Sequence, residues 1–146
     1  FVLVDEPSLK DLKNLELAML KFLRYIGYIP EENPKNLGYR LLMECFLAHP
    51  NRAFTVDELL DILSTNRPTL YNYLNKLKGY EVLDELQVEV EGLPEESPGR
   101  RTRKAYKLKF EDFRMAFNIT LKKAEAVLEV YQQDLEHLSR LLKERY

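Results

Sequence analysis

The chain has 146 residues, 45% of them apolar and 32% charged, a balance that excludes a disordered polymer and fits one small domain with an appendage or two very small domains. Its formal charge of -2 is too small to make the whole molecule a polyanion binder, so any nucleic-acid contact must come from a local basic patch. The single cysteine, Cys45, excludes an intrachain disulfide framework. It sits in an apolar helical pattern and reads as a small buried side chain.

No apolar run reaches membrane-spanning length and no signal peptide is visible, so a soluble, cytoplasmic protein without a membrane partner is expected. In chain order, Ser8 is placed to cap a first helix. Its apolar positions Leu9, Leu12, Leu15, Met19, Leu20, Leu23 and Ile26 recur at three and four, and Gly27 stops it. The segment YIPEENPKN, with two prolines, reads as a connector. The run GYRLLMECFLAH is a second helix that ends at Pro50, and its nearly continuous apolar content places it in the core. After a minimal strand at AFT, Thr55 and Glu58 have the spacing of a capping box at the head of VDELLDIL.

The next stretch, STNRPTLYNYLNKLKGY, contains a proline that looks like a helix breaker. With Asn66 as N-cap, Pro68 falls in the first turn, where its missing N–H has no intrahelical partner to lose. Leu70, Leu74 and Leu77 then form the buried stripe and Gly79 is the end signal. LQVEVEG alternates, with Leu86, Val88 and Val90 on the inner face. GLPEESPGRR is a loop. TRKAYKLKF alternates again, with Tyr106, Leu108 and Phe110 inward. Together these segments predict a hairpin. The last third is one long helical pattern with an interruption expected at Asn118. From Leu121 it carries a heptad seam of Leu121, Ala124, Leu128, Tyr131, Leu135, Leu138 and Leu142.

The succession of helix, short strand, helix, turn, helix and hairpin resembles the winged helix-turn-helix regulators of the ArsR and MarR type. TVDELLDILSTNRPTLYNYLNKLKGYEVLDE and the hairpin carry the likeness. Before the recognition helix such proteins tend to have a leucine, a small residue, a hydrophobic residue and a capping serine. Leu63, Ser64, Thr65 and Asn66 stand there in this chain, with Ser64 in place of the usual glycine. The resemblance implies a mainly α fold with a small β-hairpin. Residues 1–36 would form an N-terminal helix and connector, 37–110 the winged helix-turn-helix domain, and 111–146 a C-terminal dimerisation helix.

It further implies sequence-specific binding of double-stranded DNA by a homodimeric transcription regulator. Arg67, Thr69, Tyr71, Asn72, Asn75 and Lys76 lie wholly or partly outside the leucine stripe. Arginine can pair with a guanine edge and asparagine with adenine, while Thr69 and Tyr71 can reach phosphates or a thymine methyl. Tyr73 belongs half-buried against the wing. Arg100, Arg101, Arg103, Lys104, Lys107 and Lys109 form a basic run without an acidic residue, suited to the DNA backbone, although Glu91, Glu95 and Glu96 precede it. Two-fold pairing through the seam would set two recognition helices one DNA turn apart. The bland alternatives are a solvated polar helix face, a solvated charge run, and a C-terminal helix that packs on its own N-terminal helix.

Catalysis has little support. His49 and His137 have no cysteine or serine partner at motif spacing, and no glycine-rich phosphate loop exists among the five glycines. No cofactor or metal is expected, because the metal-sensing ArsR proteins use paired cysteines and this chain has one. The rival function is a winged helix used for protein contact within a larger assembly. A ligand-gated regulator is a third reading, with no effector site visible.

Overall fold

The computed structural model describes residues 9–89 and 102–146. The fold is mainly helical with one three-stranded antiparallel sheet. The first helix, α1 (Leu15–Tyr25), starts later than the leucine spacing predicts. Asn14 adopts an extended backbone and its side chain accepts from the Leu17 N–H at 3.0 Å, which sets the start there. Leu9–Asp11 form a separate 3₁₀ turn, and Ser8 lies outside the described residues. Gly27 has φ 82°, a left-handed conformation that suits glycine, and it turns the chain out of α1.

The connector that follows is not only a linker. Tyr28 and Ile29 are buried in the core, and the Tyr28 hydroxyl donates to the Gly38 carbonyl at 2.6 Å. Burial, with Tyr73 and Tyr80 nearby, pushes the Tyr28 phenol well above its ordinary range. Asn36 then caps α2 (Leu37–Arg40), which continues with π geometry over Leu41–Leu47. As its composition predicts, this segment is central. Leu41, Leu42, Cys45 and Phe46 are all buried, and desolvation raises the Cys45 thiol to about 11, so it is an inert packing residue.

β1 (Phe54–Thr55) leads into α3 (Val56–Leu63) through a complete capping box. The Thr55 hydroxyl accepts from the Glu58 N–H, and the Glu58 carboxylate accepts from the Thr55 N–H. Burial pushes the Glu58 carboxyl up, but hydrogen bonds from Arg52 and Thr55 outweigh it and leave the group below its ordinary value. α3 ends at Ser64 in the left-handed conformation (φ 51°, ψ 51°). Asn66 caps α4 (Arg67–Gly79), accepting from Thr69 N–H at 3.0 Å, with Pro68 in the first turn. Leu70, Leu74 and Leu77 are fully buried, each such side chain contributing about 1.5–3 kcal/mol.

β2 (Leu83–Glu89) and β3 (Thr102–Leu108) pair antiparallel from Leu83↔Leu108 to Glu89↔Thr102. β3 also pairs with β1, giving the order β1-β3-β2. The expected hairpin is present with two changes. β2 begins three residues before Leu86, and Leu83 rather than Leu86 anchors it; an odd spacing along a strand sets the two on opposite faces, Leu83 with Leu108 toward the core and Leu86 on the exposed side. Tyr106 and Leu108 point inward as expected, but Phe110 is exposed. The strand has already ended, and Phe110 takes φ 59° in a short turn, Lys109–Glu111. Val90 lies outside the described residues.

α5 (Phe113–Arg145) is one unbroken helix of 33 residues, so Asn118 does not interrupt it. Asparagine is a mediocre but permitted helix residue, and here neighbouring packing overrides its preference. Asp112 caps α5, and Phe113 and Phe117 pack edge-on against Phe22 of α1. The Thr120 hydroxyl donates to the Tyr80 carbonyl, and Lys123 pairs with Glu81. No helix among the described residues is long and apolar enough to cross a membrane.

Candidate nucleic-acid interface

Helix α4 has three faces. The leucine stripe points into the core. The opposite face presents Asn72 and Asn75, both exposed. The remaining residues divide between two flanks, one toward the hairpin and one toward the connector.

On the hairpin flank, the Arg67 guanidinium donates to Asp57 Oδ1 at 2.8 Å and Arg103 of β3 donates to Asp57 Oδ2 at 2.7 Å. One carboxylate at the head of α3 therefore ties the first turn of α4 to the loop end of the hairpin, where Arg103 pairs with Val88. Thr55, Asp57, Arg67, Tyr71, Arg103 and Lys104 line a notch of about 200 Å³ between these elements. Its two guanidinium groups, one ammonium and one carboxylate leave it net positive. Next to it, Glu85 receives a hydrogen bond from the Tyr106 hydroxyl at 3.2 Å and faces Lys104 at 3.7 Å. Burial, then this bond, raises the Tyr106 phenol above its ordinary value.

On the connector flank the expected positions change. Lys76 does not belong with the outward set. Its Nζ donates to the Tyr28 carbonyl at 3.3 Å and lies 5.1 Å from the centre of the Tyr73 ring. Helical spacing places Lys76 well away from Arg67 and Tyr71, and its long stem reaches the carbonyl that the buried connector offers. Tyr73 is half-buried, but against Gly38 and Tyr28 and not against the hairpin; its hydroxyl accepts from Asn36 Nδ2 at 2.9 Å. Thr69 is half-buried near the helix start.

The basic run is also less bare than its sequence suggests. Arg100 and Arg101, with Glu91, Glu95 and Glu96, lie outside the described residues. Arg103 has Asp57, Lys104 has Glu85, and Lys107 pairs with Glu111 at 3.1 Å. Sequence reasoning missed these acidic partners. Asp57 reads there as an ordinary first-turn acid favoured by the helix dipole, and nothing in its spacing links it to residues 10 and 46 positions away. What the structure brings together is Arg67, Tyr71, Arg103 and Lys104, with Asn72 and Asn75 on the adjoining helix face.

The seam of α5 is largely uncovered in the single chain. Leu121, Leu128, Tyr131, Leu135, Leu138 and Leu142 are each about half exposed or more, and Ala124 is intermediate. Among the described residues, the ring contacts between α1 and α5 involve Phe113 and Phe117, in the first two turns of α5. Among the described residues no cluster of histidine, cysteine or carboxylates could hold a metal ion. No family model matches this chain, and no curated protein matches it.

Proposed function

We propose that this chain is a winged helix-turn-helix protein that binds double-stranded DNA as a homodimeric transcription regulator in the cytoplasm. α2 with its π extension, α3 and α4 would be the three helices of the domain, α4 the recognition helix, and β2–β3 the wing. The observation that carries the reading is the meeting of α4 and the loop end of β3 over Asp57. It makes the outer face of α4 and the wing one continuous surface, as simultaneous groove and backbone contact requires. Ser64 supports it further, because it holds the left-handed conformation for which the resembling proteins use glycine. The exposed asparagines and Arg67 have the donor and acceptor patterns that read adenine and guanine edges.

Selection of bound sequences from a random DNA pool tests the proposal, and a near-palindromic motif is the expected result. Arg67→Ala and Asn72→Ala should each relax discrimination at one base position by about 1–3 kcal/mol. Replacing Arg100, Arg101 and Arg103 together should weaken binding to all sequences and flatten its salt dependence. No binding at low salt would overturn the reading. It would favour the second reading, a winged helix that contacts another protein, which the acidic partners Asp57, Glu85 and Glu111 beside the basic run make specific.

A further inference from the structure

Gly79 is the last residue of α4, and its presence there has no explanation within a single chain. It is not the left-handed residue that ends the helix; Glu81, at φ 60°, takes that role. Among the described residues, Gly27 is the glycine with positive φ. A Cβ added at Gly79 would meet nothing within 4 Å. Alanine would therefore fit the space and favour the helix, since glycine is the poorest helix former after proline.

Gly79 does line a groove. With Tyr80 it forms one wall, and Leu121, Ala124, Val127 and Leu128 of α5 form the other, enclosing about 800 Å³. This groove runs directly into the uncovered seam. Leu121, Val127, Leu128, Tyr131, Leu135, Leu138, Leu141 and Leu142 are each between 44% and 68% exposed. Together they offer on the order of 700 Å² of surface, close to the ~800 Å² per partner of a standard-size interface. That is larger than the apolar patch a solitary protein usually shows.

We propose that the groove seats helix α5 of a second copy, which packs against the end of α4 as well as along the seam. This rests on the homodimer reading above and adds to it the residue at which the partner helix comes nearest to α4. A second copy is the occupant that the sequence of α5 suits. Its leucines repeat at matching heptad positions, so the same stripe is presented by both partners of a two-fold pair. The positions beside the seam, among them Val127, Gln132, Ser139 and Leu141, are mostly uncharged, while Lys122, Glu129, Glu136 and Lys143 lie on the far side. Glu125 and Asp134 are the charged residues beside the seam, and Glu125 lines the groove with Lys123, so two copies bring few charges together on closing. The glycine then has a use, because close approach of a helix requires a wall without a side chain.

The test is sedimentation equilibrium on the full chain, its Gly79→Leu variant and its Leu128→Glu variant, with circular dichroism as the control for folding. The expected result is a dimeric parent, a folded Gly79→Leu whose dissociation constant is raised at least about tenfold, and a monomeric Leu128→Glu. A spin label on Gly79→Cys provides the second readout and should be immobilised in the dimer and mobile on dilution. A dimeric parent whose Gly79→Leu variant dissociates as the parent does, or whose label at residue 79 stays mobile, overturns the seat and leaves the dimer standing. A monomeric parent overturns the dimer itself and assigns the groove to a different protein.

Discussion

The two flanks of α4 are built from similar residues to different ends. Each carries a tyrosine, a cation and a nearby polar partner, with Lys78 as a second cation on the hairpin side beside Glu85. On the connector flank, Tyr73 and Lys76 are drawn inward, with the Tyr73 ring lying over Gly38, its hydroxyl held by Asn36, and the Lys76 ammonium on a backbone carbonyl. On the hairpin flank, Arg67 and Tyr71 remain exposed, and the partner of Arg67 is a carboxylate at the surface. The difference is burial, which decides how strongly each contact is enforced. A buried polar group left without a partner is costly, whereas an exposed ion pair exchanges readily with water. The connector flank fixes where α4 sits, and the hairpin flank stays exposed, as the proposed DNA contact requires.

Substitutions can break this contrast. The largest effect is expected from Gly38→Val. Even a Cβ at residue 38 would lie 2.4 Å from the Tyr73 ring, so the ring must leave its seat. A loss of about 2–3 kcal/mol is expected, read as a fall in the denaturant midpoint at unchanged slope. Asn36→Ala comes next. It removes the cap of α2 and the Tyr73 hydroxyl's donor together, at a cost of about 1–2 kcal/mol in the same measurement.

Asp57→Asn should move stability least, by less than about 1 kcal/mol, because both of its ion pairs are exposed. Under the proposed DNA-binding function, its effect belongs to binding. With Arg67 and Arg103 released from their shared carboxylate, non-specific DNA affinity should rise and its salt slope steepen in a fluorescence titration. A large loss of stability in Asp57→Asn would erase the contrast between the flanks.

Much of this arrangement could be read in the chain itself, and the rest was hidden for identifiable reasons. Local rules located the Thr55–Glu58 capping box, the Asn66 cap with Pro68 behind it, and the leucine stripe of α4, since each depends on residues within a turn of one another. The same rules misplaced the start of α1, because Leu9 and Leu12 continue the spacing although Asn14 caps a new helix behind them. They put the end of α4 at Gly79, where it falls, although the left-handed residue beyond it is Glu81, and they set Phe110 inside a strand that stops at Leu108. Contacts between distant segments left no periodic trace. Asp57 meeting Arg103 across 46 residues is one case, and Lys76 reaching the Tyr28 carbonyl across 48 is another. The seam of α5 shows the limit most clearly. The leucine spacing continues the pattern of the buried first turns, yet in the single chain those turns are covered and the remainder is not. Periodicity indicates that a stripe is made to be covered without saying by what.

The tie between Thr120 and the Tyr80 carbonyl, beside the Lys123–Glu81 pair, acts as the fulcrum of a lever. Past it α5 continues for roughly 25 residues, a rigid arm of about 37 Å. A tilt of about 5° at the fulcrum carries the far tip about 3 Å, and the reverse holds, so a displacement of the tip returns to α4 as a small rotation multiplied in force. Since Tyr80 is the residue that closes α4, whatever grips the arm also holds the angle of the helix that faces outward beside the hairpin.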